Sequence, residues 1–361
     1  MRLEDICTVF TDGDWIESKD QSDEGIRLVQ TGNIGEGTYL EKESRAKYIS
    51  EDTFDKLKCT EIFSGDILVS RLPEPVGRAC VIPEKEERMI TAVDCTICRP
   101  DETIVSKEYL CYFMRSNAYY TRLLGSVTGT TRKRISRKNL GNVELQVPSK
   151  EMQAEVVEQL DCIVNVIESR KKELQLLDNL IKARFVELFG NIKEEKLLGE
   201  ISEFVTVGIA NSATHAYAES GVPMLRNQNI RENYLDDSDL IYIKPEFAAK
   251  YESKKLKEND IIAMRTGYPG VACLVPKKYE GCQTFTTLIV RLKEDNNPSY
   301  VCSYINSDLG KRFIDSEKVG VAQQNVGAKS LAQMPIKIAP KELQDEYADF
   351  VKQVDKSKFV A

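Results

Sequence analysis

The sequence is poor in the residues that most metal and hydrolase sites require. Its 361 residues include one histidine, His215, which excludes every site that needs two histidine ligands and argues against a Ser-His-Asp triad. Its ten cysteines contain one Cys-x-x-Cys pair, Cys95 and Cys98, and no second pair lies at zinc-ligand spacing. Val93, Cys95 and Ile97 alternate as on a strand, so we predict a buried core strand there and reduced, buried thiols elsewhere.

Long apolar runs, export signals and phosphate-cradle motifs are also missing. No run of about 18 or more apolar residues could span a membrane, and Met1–Asp5 does not begin a signal peptide, so we expect a cytoplasmic protein. Neither Gly-x-x-x-x-Gly-Lys-Ser/Thr nor Gly-x-Gly-x-x-Gly occurs, so we expect no cofactor, and we expect no metal. Asn297–Tyr300 departs from the Asn-Pro-Pro-Tyr motif of amino-methyltransferases at its third residue, and we interpret it as a strand-to-helix turn.

What the sequence does contain is a long internal repeat. The first half returns in the second at an offset of about 191–196 residues, far longer than the roughly 20–50 residues of solenoid repeats. Matching pairs include Gly65–Leu68 with Asn259–Ile262, Gly129 with Gly320, and Lys150–Gln153 with Lys341–Gln344. Each repeat mixes short strands with short helices, so we predict an α+β domain that is present twice, in a pseudo-two-fold arrangement suited to a target with two similar halves.

A long helix is predicted at the end of the first repeat. Residues 149–189 contain neither glycine nor proline, and their apolar side chains recur at steps of three and four along one stripe. About 40 residues make roughly 60 Å of helix, and such a stripe needs a partner helix. The matching segment from Lys341 provides one of about half that length, so the sequence predicts a truncated second helix. The rest of the stripe is then exposed to solvent, covered by another chain, or matched by residues that this sequence does not contain.

The strongest candidate contact with a ligand is the basic segment before that helix. Residues 129–150 carry six basic and one acidic side chain within a chain whose 50 basic and 57 acidic groups give a net charge of −7. This segment contains Thr130, Thr131, Arg132, Lys133 and Arg134, a combination that fits phosphate contacts, although a solvated surface loop is the alternative. At the matching position the second repeat has Gln323, Gln324 and Asn325, whose amides are suited to reading adenine.

Other polar positions recur in both repeats. Arg71 and Arg265 each follow a predicted buried strand, and Arg226 and Asn229 match Gln30 and Asn33. Each of these side chains could contact bases or phosphates, and each could equally cap a turn or form an internal salt bridge.

Taken together, the duplication, the Gly-Asp-Ile-Leu strand at Gly65–Leu68, the basic segment and the helix that ends Lys182–Gly190 resemble the specificity subunit of type I restriction–modification systems. The resemblance covers nearly the whole chain. It implies two target-recognition domains that each read one half of a split DNA site, and two helices that pair as an antiparallel coiled coil and set the spacing. It further implies that these helices dock two methyltransferase subunits, that restriction subunits join this complex, and that the chain itself catalyses nothing.

The resulting domain prediction is a first target-recognition domain at 1–148, a spacer helix at 149–190, a second domain at 191–339 and a second helix at 340–361. Two other functions stay open. One is a self-contained DNA methyltransferase or nuclease, which the missing motifs disfavour. The other is a coiled-coil adaptor that binds only proteins, which the acidic balance favours. The acidic balance does not by itself exclude DNA, because a ligand responds to the local field within a Debye length of about 8–10 Å.

Overall fold

The computed structural model describes residues 1–129, 132–210, 214–320 and 324–360, without the side chains of residues 359 and 360. The chain divides into two compact units, unit 1 (Met1–Glu168) and unit 2 (Ser169–Ala361).

Unit 1 is an α+β domain with two four-stranded sheets. Its strands are β1 (Cys7–Asp12), β2 (Ile26–Val29), β3 (Tyr48–Ile49), β4 (Glu61–Ile62), β5 (Ile67–Ser70), β6 (Ala79–Val81), β7 (Met89–Thr91) and β8 (Cys95–Pro100). Its helices are α1 (Glu51–Leu57), α2 (Lys107–Phe113), α3 (Asn117–Leu124), α4 (Arg137–Gly141) and the start of α5 (Lys150–Phe189). One sheet is antiparallel with the order β1-β8-β5-β6, and the other has the order β3-β2-β7-β4 with β2 and β7 parallel.

Strand β5 shows how the first sheet is buried on both faces. Ile67 and Val69 point into one core with helix residues such as Leu110 and Leu140, while Leu68 points into a second core with residues of the other sheet. Successive strand residues point to opposite faces, so a strand between two cores must be apolar at every position, as Ile-Leu-Val is. The Cys-x-x-Cys pair lies on β8 with both side chains fully buried, which confirms the predicted core strand.

Unit 2 repeats this architecture. Its strands are β9 (Glu195–Leu197), β10 (Ser202–Val207), β11 (Tyr217–Ala218), β12 (Val222–Leu225), β13 (Ile230–Arg231), β14 (Tyr234–Leu235), β15 (Ile241–Ile243), β16 (Ile261–Ala263), β17 (Ala272–Leu274), β18 (Gln283–Thr284), β19 (Leu288–Leu292) and β20 (Pro335–Lys337). Its further helices are α6 (Pro245–Ala248), α7 (Pro298–Asn306), α8 (Asp308–Glu317), α9 (Ala328–Ala332) and α10 (Lys341–Val360). The sheet order β10-β19-β16-β17 matches β1-β8-β5-β6 strand for strand, which confirms the internal repeat.

The two long helices pair within unit 2. The end of α5 packs against α10, with Asp178 2.7 Å from Lys358 and Arg184 2.6 Å from Glu346. Positions late in α5 therefore meet positions early in α10, so the pair is antiparallel, as the family resemblance implied. Phe189 at the end of α5 packs its ring against the Tyr347 ring at 5.4 Å and fixes this end of the pair.

Much of the α5 stripe is not covered by the described residues. The exposed apolar side chains are Met152, Val156, Ile163, Val166, Ile167 and Leu174 along the first part of the helix, and Leu176, Leu180 and Val186 on its other side. Later positions of the stripe are covered, because Ile181 and Phe185 are buried in the unit 2 core. No helix among the described residues is long and apolar enough to cross a membrane.

Candidate nucleic-acid interface

Each unit carries a hairpin where the sequence predicted a recognition segment. In unit 1, Thr128 and Arg134 exchange two backbone hydrogen bonds of 2.9 Å, and in unit 2, Val319 and Asn325 exchange two of 3.0 Å. Gly129 opens the first hairpin with φ +99°, and a Cβ there would lie 2.2 Å from the Arg132 carbonyl oxygen, so the turn requires glycine. Three of the predicted site residues, Thr130, Thr131 and Gln323, lie outside the described residues.

Both hairpins are anchored to the loop that follows the central strand. The Ile135 N–H donates to the Arg71 carbonyl oxygen at 3.2 Å, and the Val326 N–H donates to the Arg265 carbonyl oxygen at 3.1 Å. The fold therefore brings each repeated arginine to the root of the hairpin of its own unit. The loop after the central strand and the hairpin are far apart in sequence, and the sheet topology brings them together.

A third loop, which follows β2 in unit 1 and β12 in unit 2, contacts the loop that follows the central strand. In unit 1, the Arg78 guanidinium donates to the Thr31 and Ile34 carbonyl oxygens at 2.8 and 2.7 Å. In unit 2, the Asn227 amide donates to the Thr266 hydroxyl at 2.8 Å. We call each set of three loops the loop face of its unit: residues 30–41, 71–78, 128–129 and 132–138 in unit 1, and residues 226–239, 265–271, 319–320 and 324–329 in unit 2.

The loop face of unit 1 is cationic. Arg132, Lys133 and Arg134 are all exposed, and the Lys133 ammonium lies 2.6 Å from the Glu74 carboxylate. Arg132 and Arg134 form no ion pair with the part of the chain that the structure describes. The hairpin of unit 2 is neutral at the same positions: Gln324 is exposed, and the Asn325 amide donates to the Val319 carbonyl oxygen at 3.2 Å.

Arg71 is used inside unit 1. It is 5% exposed; its guanidinium donates to the Val93 carbonyl oxygen at 2.6 Å and lies 3.3 Å from the Asp12 carboxylate. It also donates to the Ile135 carbonyl oxygen at 3.4 Å, which ties it to the end of the hairpin. Of the two interpretations left open by the sequence, this geometry favours the internal salt bridge.

Arg265, the counterpart of Arg71, has different surroundings. Val207 stands where unit 1 has Asp12, because Asp12 pairs with Thr96 on β8 and Val207 pairs with Leu288 on β19. No ion pair joins Arg265 to any described residue, and its Nε is buried without a hydrogen-bond partner there. Its cationic group is thus not neutralised by a carboxylate in the way that Arg71 is.

Asn229 acts as a clamp for its own loop. It is 1% exposed, accepts from the Arg226 N–H at 2.9 Å and donates to the Asp239 carbonyl oxygen at 2.9 Å. Arg226 donates to the Asp239 carboxylate at 3.1 Å. The unit 1 counterpart, Asn33, makes the same kind of contacts, so these residues favour the turn-capping interpretation.

Sequence reasoning missed a buried glutamine at the start of each long helix. Gln153 accepts from the Ser106 N–H at 2.8 Å and donates to the Ile104 and Pro148 carbonyl oxygens, both at 2.9 Å. Gln344 repeats this pattern with the Asn297 N–H and the Ala339 carbonyl oxygen, each at 2.8 Å. The repeat alignment placed both glutamines at the same position, but nothing in it indicated that they join the helix to its globule.

Asn297 caps helix α7, which confirms the strand-to-helix turn predicted at this position.

Among the described residues, no group of three or more His, Cys, Asp or Glu side chains converges in a way that could hold a metal ion.

Comparison with known proteins gives a consistent result. Residues 1–179 and 193–359 each match the family model of the type I restriction modification DNA specificity domain. The chain is 19% identical over 284 residues to the specificity subunit of the type I restriction enzyme EcoKI from Escherichia coli K12, a match that covers 72% of this chain and 60% of that protein.

Two solved structures share the fold. A chain from a study of complex assembly and conformational transition of the type I R-M system aligns over all of this chain and 90% of its own length, with 15% identity and a TM-score of 0.59. The S subunit of a type I restriction-modification system from M. genitalium aligns over 99% of this chain and 89% of its own length, with 14% identity and a TM-score of 0.54.

Proposed function

Since this chain belongs to the family of type I restriction modification DNA specificity proteins, we propose that its two units each read one half of a split DNA site and that the chain catalyses no reaction itself. The observation that carries the proposal is the loop face. The same three loops meet on the same scaffold in both units, while the side chains that they present differ, as expected of modules that read different half-sites.

In this proposal, unit 1 holds its half-site mainly through phosphates. The exposed Arg132 and Arg134 supply positive charge that no described carboxylate neutralises, and such charge provides affinity without selecting bases. In unit 2, Gln324 and Asn325 offer amide groups that can pair with adenine in the major groove. Arg71, Arg226 and Asn229 then shape the loop faces from within.

The proposed role of the long helices is to set the spacing between the two half-sites and to dock the partner subunits. The proposed domains are 1–148 and 191–339, with helices at 149–190 and 340–361. The exposed apolar side chains of α5 between Met152 and Leu174 support docking, because apolar surface of this kind marks protein interaction sites. We propose that two methyltransferase subunits bind there and that restriction subunits join through that complex.

The test is co-expression with a type I methyltransferase subunit, followed by mapping of methylated adenines across the host genome. We expect methylation at one bipartite sequence whose two halves are separated by a fixed spacer. Methylation without a bipartite preference, or none at all in a complex that assembles, would refute the proposal.

The same preparation discriminates the other two functions. A self-contained methyltransferase or nuclease would bind S-adenosylmethionine or cut DNA without a partner, so the purified chain is titrated with that cofactor and incubated with duplex DNA. A protein-only adaptor would assemble with the methyltransferase but leave its sequence preference unchanged.

A further inference from the structure

In the two loop faces, different side chains connect the loop after the central strand with the hairpin. In unit 1, the Glu74 carboxylate on the loop after β5 lies 2.6 Å from the Lys133 ammonium on the hairpin. The flanking matches of Arg71 with Arg265 and of Gly129 with Gly320 align these two positions with Tyr268 and Gln324 in unit 2. Unit 2 therefore has an aromatic ring and an amide where unit 1 has an ion pair.

Tyr268 is presented to solvent by a hydrogen-bonded loop. At 77% exposure, it is the most exposed of the large hydrophobic side chains among the described residues. Gly267 and Gly270 flank it with φ of +84° and +92°, and the Gly270 N–H donates to the Met264 carbonyl oxygen at 2.9 Å. A ring that is exposed on a hydrogen-bonded loop is accessible to a ligand without unfolding of that loop.

The groups beside Tyr268 suit a nucleic-acid ligand. Thr266, two residues before it, forms a β-bridge with Asn325, which places the Tyr268 loop beside the hairpin that carries Gln324 and Asn325. Arg265 lies at the root of the same loop and has no ion-pair partner in the described chain, because Val207 replaces the aspartate that neutralises Arg71 in unit 1. These groups lie on one neutral face. The cation suits a phosphate, the aromatic ring suits a base or a sugar, and the amides suit the edge of a base.

We propose that Tyr268 and Arg265 form a recognition element of unit 2 that unit 1 lacks, in which the ring contacts a base or deoxyribose and the guanidinium contacts the neighbouring phosphate. The element rests on the proposed function, because it needs unit 2 to read a half-site. It adds a specificity-determining side chain, Tyr268, to the amides of the hairpin.

The test uses the complex with the methyltransferase and a duplex that carries the mapped site. Tyr268→Ala lowers affinity for this duplex about tenfold or more and relaxes base preference in one half-site, whereas Tyr268→Phe stays within about threefold because the ring remains. Arg265→Gln reduces the magnitude of the slope of log affinity against log salt by about 0.9.

Two control variants separate this site from general surface effects. Tyr217→Ala removes another exposed tyrosine of unit 2. Tyr217 and Val222 both pair with Ile243, so Tyr217 lies at the end of its sheet that is opposite to Arg226. Glu74→Ala changes the position in unit 1 that corresponds to Tyr268. Neither change alters the half-site that Tyr268→Ala relaxes.

Wild-type affinity and unchanged preference in Tyr268→Ala would overturn this inference, while the bipartite site would still support the proposed function. Loss of the methyltransferase subunit from Tyr268→Ala, with preference unchanged, would place the ring on a protein partner and would also overturn it. If no bipartite site is mapped, both proposals fail together.

Discussion

The buried glutamines give the sharpest prediction for the fold, because each is the junction between a globule and its helix. Gln153 is 1% exposed and makes three hydrogen bonds to backbone groups of unit 1. Gln153→Ala removes all three bonds and leaves the Ser106 N–H and two carbonyl groups without these partners in a partly buried site. At about 1 kcal/mol for each net hydrogen bond, unit 1 should lose about 3 kcal/mol of stability.

Hydrogen exchange of the Ser106 amide provides the assay, since this N–H donates directly to the Gln153 side chain. A loss of about 3 kcal/mol corresponds to roughly a hundredfold faster exchange through opening of this junction. Gln344→Ala should have the same effect on the Asn297 amide of unit 2. A local measurement is preferable to a single melting temperature, because a chain of two units need not unfold in one step.

The matched control is Gln159→Ala, an exposed glutamine on the same helix whose amide contacts Glu155. That change should cost less than about 0.5 kcal/mol. If Gln153→Ala accelerates exchange of the Ser106 amide no more than Gln159→Ala does, the glutamine does not hold the helix to the globule and the reasoning is wrong.

Three further predictions concern the loop face and α5. Arg132→Gln and Arg134→Gln should each reduce the magnitude of the salt slope of DNA binding by about 0.9 in the assembled complex, because each removes a cation that pairs with no carboxylate among the described residues. Cys162, the exposed cysteine on α5, should react fast with a thiol reagent in the free chain and slowly once the methyltransferase is docked. Arg71→Gln should destabilise unit 1 by about 2–3 kcal/mol, since the Val93 carbonyl and the Asp12 carboxylate lose the buried cation that pairs with them.

Each of these predictions has an internal comparison. Lys133→Gln should change the slope less than Arg132→Gln does, because Glu74 already pairs with the Lys133 ammonium. Equal effects would contradict the role given to that ion pair. Arg265→Gln should leave stability within about 0.5 kcal/mol, and a loss as large as that of Arg71→Gln would show that Arg265 is also an internal support.

In the thiol experiment, the buried cysteines should contribute little to the reaction. Desolvation raises the pKa of the Cys80 and Cys95 thiols to about 12, so these side chains are protonated and unreactive at neutral pH. Cys162→Ser should therefore abolish the fast phase. An unchanged Cys162 rate in the assembled complex would place the methyltransferase away from this part of α5.

The sequence by itself determined the repeat, the long helix and the buried strands, because these depend on local patterns. Apolar residues at steps of three and four make a helical stripe whatever surrounds it, and the run Ile67–Val69 is apolar at each position because both faces of its strand are buried. The collinear matches likewise predicted a domain that is present twice, and the sheet β1-β8-β5-β6 recurs in unit 2 as β10-β19-β16-β17.

Tertiary structure alone decided which of the repeated polar residues face outward. Arg71 and Arg265 are equivalent in sequence, yet one is paired with Asp12 and the other is not, because strand pairing brings a residue 59 positions upstream beside the first and Val207 beside the second. Likewise, Asn229 and Gln153 have the side chains of ligand-reading residues but are buried among backbone carbonyls of their own units. The partner of a polar side chain depends on distant chain segments, and that physical fact limits what local patterns can predict about a recognition surface.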